Sequence, residues 1–74
     1  IKLYPNPAKD IVNIDTNLKI DDIAIFNQLG QNVMQVKGAQ IFNNKVDLSR
    51  LSSGLYFMNI KAEDKVQSIK IIKE

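Results

Sequence analysis

The sequence predicts an all-β fold, a small antiparallel sandwich of about seven strands. Three observations carry that reading. Apolar and polar residues alternate at period two in short runs, as in Val12-Asn13-Ile14-Asp15 and Tyr56-Phe57-Met58-Asn59-Ile60. The runs recur at intervals of roughly 8–12 residues, the spacing of a sandwich rather than of βα units. Proline, glycine and asparagine stand between them, and no segment sustains a period of 3.6 residues.

Taken in order, Ile1-Lys2-Leu3-Tyr4 is a first strand stopped by Pro5-Asn6-Pro7. Two prolines fix φ and lack amide donors, so this segment is a rigid bend and not a paired strand. Ile11–Thr16 follows, with Val12 and Ile14 on one face and Asn13 and Asp15 on the other. Ile23-Ala24-Ile25-Phe26 is apolar on both faces, as a central strand would be. Asn27–Gln31 is a hairpin turn with Gly30 at positive φ, and Asn32–Val36 is the return strand. Gly38 opens a polar loop, and Asn43-Asn44 closes a short segment around Ile41-Phe42.

Val46-Asp47-Leu48 is a brief strand, after which Ser49–Ser53 is too short for a stable helix. Leu48 and Leu51 lie three apart, which fits a single 3₁₀-like turn ended by Gly54. Leu55–Lys61 is the strongest strand signal, with Tyr56, Met58 and Ile60 sharing a face. Ala62-Glu63-Asp64 turns the chain into a last strand, Val66–Lys73. Val66 is out of phase with Ile69 and Ile71, so a bulge is expected near Gln67-Ser68. The pattern alone reaches an immunoglobulin-like module and no further.

Length and charge narrow the class. A chain of 74 residues is one domain with a thin core, close to the size at which apolar burial alone holds a fold. It has no cysteine, so disulfides and thiolate metal sites are absent. No apolar run approaches the roughly 18–20 residues of a bilayer-spanning helix, and no signal-peptide pattern opens the sequence. If the domain is exported, the entry signal is expected elsewhere in a longer protein. The net charge of +2 gathers in the last third, at Arg50, Lys61, Lys65, Lys70 and Lys73. That bias is far weaker than a phosphate-binding surface needs, so nucleic acid is not expected as a partner.

A catalytic set is hard to assemble. Without histidine or cysteine the chain lacks the common general base, the thiol nucleophile and the best zinc ligands. Ser49, Ser52 and Ser53 read as turn residues, because nothing places a base beside them. Asp15, Asp21 and Asp22 read as a solvated loop, since their spacing matches no calcium-binding loop. The three glycines are isolated and form no phosphate cradle. Tyr4, Phe26, Phe42, Tyr56 and Phe57 alternate mostly as core residues and are assigned to packing rather than to a sugar platform. No enzyme, metal or cofactor is expected from these residues.

The turns themselves carry a further signal. Leu3-Tyr4-Pro5-Asn6-Pro7-Ala8 is followed by Ile25-Phe26-Asn27-Gln28-Leu29-Gly30-Gln31-Asn32-Val33, then by Val46–Tyr56 with its Ser53-Gly54-Leu55-Tyr56, and finally by Lys70-Ile71-Ile72-Lys73. Any one piece is common; the four in this order, across the whole chain, resemble the type A C-terminal sorting domains of the type IX (Por) secretion system of Bacteroidetes. The resemblance implies a β-sandwich that is an address rather than a catalyst. It would sit after an N-terminal cargo domain in the same chain, reach the outer-membrane translocon from the periplasm, and be cut off at or ahead of Ile1 by a sortase-like cysteine protease. The cargo would end on the cell surface or outside the cell, and the protein would end just after Lys73.

The resemblance also implies the recognition residues: Pro5, Asn6, Pro7, Leu29, Gly30, Gly54, Leu55, Tyr56, Lys70, Ile71, Ile72 and Lys73. Physically, rigid turns lower the entropy cost of docking. A last strand at a sheet edge would offer unpaired backbone groups to a partner strand, or to a second copy in a dimer. Lys70 and Lys73 have a plainer reading as charges that guard such an edge against aggregation. Two rival functions remain open from the residues alone: a fibronectin-like accessory module binding sugar or protein on an extracellular enzyme, and a structural spacer.

Overall fold

The period-two runs form seven strands in a computed structural model that describes all residues 1–74. They are β1 (Lys2–Tyr4), β2 (Ile11–Asp15), β3 (Ile20–Phe26), β4 (Asn32–Lys37), β5 (Lys45–Asp47), β6 (Gly54–Ala62) and β7 (Lys65–Lys73). They make two antiparallel sheets, β1-β2-β5 and β4-β3-β6-β7. The inward residues of both sheets meet in one core. Val12, Ile14 and Val46 come from the smaller sheet; Ile20, Ile23, Ile25, Tyr56, Met58, Ile60 and Ile71 come from the larger, and Ala8 and Leu48 fill the seam. Burial of such side chains, each worth roughly 1.5–3 kcal/mol, is what holds a domain that has no cysteine to cross-link.

Most of the strand reading holds, and the departures have physical reasons. β3 begins at Ile20, so Asp21 and Asp22 are strand residues rather than a solvated loop. Asp22 lies opposite both Lys37 and Lys61, pairs with the Lys37 ammonium at 3.8 Å and accepts from Gln35 at 3.1 Å. The bulge expected near Gln67-Ser68 is absent: β6 and β7 pair without interruption from Gly54↔Lys73 to Ala62↔Lys65. Val66 shares its parity with Lys70 and Ile72 and faces outward, 68% exposed, so the apolar residue is on the surface and the strand needs no slip. Irregularities of register occur in β3 instead, between Ile20 and Asp22 and between Ile25 and Phe26.

The aromatic residues also differ from expectation. Tyr56 alone is buried; Phe26 is half-buried and Tyr4, Phe42 and Phe57 are exposed. They form no shared platform. Phe26 and Phe57 are cross-strand neighbours on the outer face of the larger sheet, Tyr4 belongs to β1 in the smaller one, and Phe42 flanks a turn. Gly38–Gln40 is a single 3₁₀ turn rather than an open loop. Asn43 and Asn44 both take positive φ, 55° and 54°, and form a two-residue reversal between Phe42 and Lys45. Leu51 donates to the Leu48 carbonyl at 2.9 Å, which is the expected 3₁₀-like turn ahead of β6.

Candidate functional site

The site is built where the chain crosses between sheets. β1 ends in the smaller sheet at Tyr4, and the next residues leave it to run beside β7, at the edge of the larger one. Proline has no N–H, so Pro5 and Pro7 contribute no donor to that edge. The side chain of Asn6 supplies the pairing instead. Its amide nitrogen donates to the Lys70 carbonyl at 3.1 Å, and its amide oxygen accepts from the Ile72 N–H at 3.1 Å. An Asn side chain thereby imitates one residue of a strand, across 66 positions of sequence. Ala8 then resumes with its own backbone: its N–H donates to the Ile72 carbonyl at 2.8 Å, and its carbonyl accepts from the Glu74 N–H at 2.7 Å. Ala8 is fully buried where this crossing seals the sandwich. The peptide bonds Tyr4-Pro5 and Asn6-Pro7 are both cis.

The other motifs arrive at the same end through the sheet register. Gly54 pairs with Lys73, Leu55 with Ile72 and Tyr56 with Ile71. Gly54, Leu55 and Tyr56 are therefore the opening residues of β6 and not a turn, with Gly54 at φ 155°. Tyr56 is buried, and its hydroxyl donates to the Ser52 carbonyl at 2.8 Å, tying the preceding turn to the strand. Phe26 pairs with Phe57, which sets the β3–β4 hairpin beside the start of β6. That loop is organised by Asn27, whose side-chain oxygen accepts from the N–H groups of Leu29 at 2.9 Å and Gln31 at 3.0 Å. Gly30 takes the positive φ the turn requires, 82°. Between loop and strand lies an open groove of about 300 Å³, lined by Asn27, Gln28, Leu29 and the stretch Ser52–Tyr56.

The twelve sequence-predicted residues thus converge on one end of the larger sheet, but they are not alike. Leu29 (83% exposed), Ile72, Lys70 and half-buried Leu55 present side chains to solvent. Tyr56 and Ile71 are core residues. Lys73 has the parity of Ile69 and Ile71 and turns inward, with 8% of its surface exposed. Its ammonium donates to the Glu74 carbonyl at 3.1 Å. The terminal part of β7 is likewise not the open edge that strand addition needs, because Asn6 and Ala8 occupy its outward groups from the Lys70 carbonyl onward.

One contributor to this end lies outside the predicted residues. Asn27 looked like one more polar turn residue, and its place two and four residues ahead of Leu29 and Gln31 is the signal of an Asx-type turn. Outside the site, Asp47 at the end of β5 fixes the turn that follows it. Its carboxylate accepts from the Ser49 N–H at 2.9 Å, and that bond, the Ser49 hydroxyl and the Arg50 charge hold its pKa below the ordinary value of 3.8 against a smaller opposing effect of desolvation.

The sequence also matches known proteins. A family described as "Secretion system C-terminal sorting domain" matches residues 2–74. A beta-agarase A of Zobellia galactanivorans is 38% identical over 72 residues, a match that covers 95% of this chain and 12% of the agarase. The chain therefore spans a small part of the length of that relative.

Proposed function

This chain belongs to the secretion system C-terminal sorting domains and is a sorting signal of type IX secretion; on that premise we propose that the machinery reads the surface formed by Leu29, Leu55, Lys70 and Ile72. Pro5, Asn6, Pro7, Gly30, Gly54, Tyr56, Ile71 and Lys73 shape and hold that surface. The family is one of delivery rather than catalysis, and what the whole protein does lies in its cargo. In this reading the outer-membrane translocon engages the folded domain, a sortase-like cysteine protease cuts at or ahead of Ile1, and the cargo is left on the cell surface or in the medium.

One observation carries the reading. Four motifs scattered along the chain are joined by the Asn6 side chain, the pairing of Phe26 with Phe57 and the β6–β7 register into one preorganised end. A surface that must look the same behind any cargo gains from such rigidity, because little conformational freedom is lost on docking. An accessory sugar-binding module finds less support, since the exposed aromatic residues are dispersed over different faces.

The test fuses the domain to a secreted reporter in a type IX host. Removing the last five residues would take Ile71 out of the core and report on folding, so exposed side chains are the better probe. Leu29→Ser combined with Ile72→Thr is expected to leave the fold intact and to strand the reporter in the periplasm. Unchanged delivery by a variant whose thermal midpoint matches the parent would remove these residues from the recognised surface.

A further inference from the structure

Because Asn6 and Ala8 cover only the terminal part of β7, the rest of that edge is open. Ile72 turns its N–H and carbonyl away from β6, toward Asn6 and Ala8. The backbone alternates at period two, so Val66, Ser68 and the N–H of Lys70 also point outward, and no strand lies beyond β7. We propose that this half-edge, Val66–Lys70, is a docking site for one extended, acidic segment of a partner protein, added as a further strand of the larger sheet. The site is separate from the end described above and does not depend on export.

The side chains along the edge specify the occupant. On the outer face, Val66 is exposed next to Lys61, and Lys70 is exposed next to Phe57. On the inner face, Ile69 is half-buried against the core and Gln67 is in solvent. Lys61, Lys65 and Lys70 are all exposed, and none makes an ion pair; the one salt bridge of the molecule is Lys37–Asp22. A partner strand therefore meets two unpaired cations on β7 itself, Lys65 and Lys70, with Lys61 one strand further in, and an apolar side chain on each face with a polar position between them. An antiparallel segment reading acidic, apolar, small, polar, apolar sets its carboxylate opposite Lys70 and its apolar residues opposite Ile69 and Val66.

A second copy fits less well, because it would bring its own Lys65 and Lys70 to the same edge. The opposite edge, β4, offers less: the Lys37 N–H is already taken by the Gln40 side chain at 3.0 Å, and the register shift between Ile25 and Phe26 interrupts the alternation beside Val33.

The experiment follows backbone amides by NMR while the 74-residue chain is titrated with an acetylated peptide, Ser-Glu-Val-Thr-Thr-Val-Ser. The expected result is saturable slowing of hydrogen exchange at Val66, Ser68 and Lys70, with Ile72 unchanged. Ser68→Pro removes an outward N–H without removing a bond to β6, and should abolish the effect while the β6 resonances stay native. Lys70→Glu should weaken the peptide about five-fold, the scale of one exposed ion pair, and a peptide with Lys in place of Glu should regain that loss against this variant. No protection at millimolar peptide overturns the proposal. So does equal binding of the Lys peptide by the parent, protection at Val33 and Gln35 instead, or concentration-dependent protection without peptide, which would mean that a second copy fills the edge.

Discussion

Replacing Asn6 by alanine tests whether a side chain really stands in for a strand. The substitution removes the donor to the Lys70 carbonyl and the acceptor for the Ile72 N–H. Both bonds are exposed, so water re-solvates the abandoned groups and the loss stays near the lower end of the usual range, about 0.5–1 kcal/mol each. The pair is then worth roughly 1–2 kcal/mol, which for a domain of this size lowers the thermal midpoint by about 6–12 °C. That is about a tenth to two fifths of the total, since native domains hold only about 5–15 kcal/mol altogether.

Circular dichroism melts report the midpoint, and amide exchange locates the change. Ile72 is expected to lose protection, while Ile23 and Met58, in the middle of the sheet, follow only the global shift. Asn6→Asp keeps the acceptor and loses the donor, and it sets a carboxylate near the Lys70 carbonyl. It should therefore recover at most half of the loss. A midpoint for Asn6→Ala within about 2 °C of the parent, together with unchanged Ile72 exchange, would refute the idea that this amide holds the crossing segment to β7.

The two substituted glycines should separate sterics from backbone strain. A Cβ at Gly38 would collide with the backbone carbonyl of Ile20, so Gly38→Ala is expected to cost roughly 2–3 kcal/mol; Gly30→Ala meets open space and should cost about 1 kcal/mol from its φ of 82° alone, and urea midpoints distinguish the two. Asp47 has a folded pKa below its ordinary 3.8, so the stability it contributes is full above that value and is lost as pH falls through the folded one. Asp47→Asn should therefore be less stable than the parent at neutral pH and converge with it in acid, as read from melts across the carboxylate range. Lys73→Met keeps the buried stem and removes the charge; it is expected to melt at or above the parent midpoint, and a midpoint well below it would show that the ammonium bond to Glu74 matters to the fold.

Strand identity and strand order differ in how well the sequence displays them. Val12 and Ile14, or Tyr56, Met58 and Ile60, announce their face because one side of each strand is covered and the other is wet. Val66 misleads because a single exposed valine carries no sign of its surroundings, and only the unbroken β6–β7 register shows that it is on the outside. Phe26 and Phe57 mislead in the same way, by covering each other on an open sheet face rather than entering the core. At the site, Pro5, Pro7, Gly30 and Gly54 were visible as turn chemistry, which is local. That the Asn6 amide reaches Lys70 and Ile72 is a property of where the sheets close, and spacing along the chain does not contain it.

This division of labour decides how sorting variants must be read. Asn6, Gly54, Tyr56 and Ile71 serve the fold, so a delivery defect after changing any of them has two explanations: a lost surface or a loosened domain. Leu29 and Ile72 contribute exposed apolar side chains, and the tertiary bonds of Ile72 run through its backbone and survive substitution; surface changes of that kind usually shift stability by no more than about 0.5 kcal/mol. Lys73 is the informative intermediate. Its charge is the sequence's most conspicuous terminal feature, yet its side chain faces the core side of β7. If Lys73→Met melts like the parent and still fails to be delivered, the partner must reach the ammonium itself on the inward side of β7, beside Ala8. If it is delivered normally, the lysine needs no reader, and the outward half of the motif, Lys70 and Ile72, bears the recognition alone.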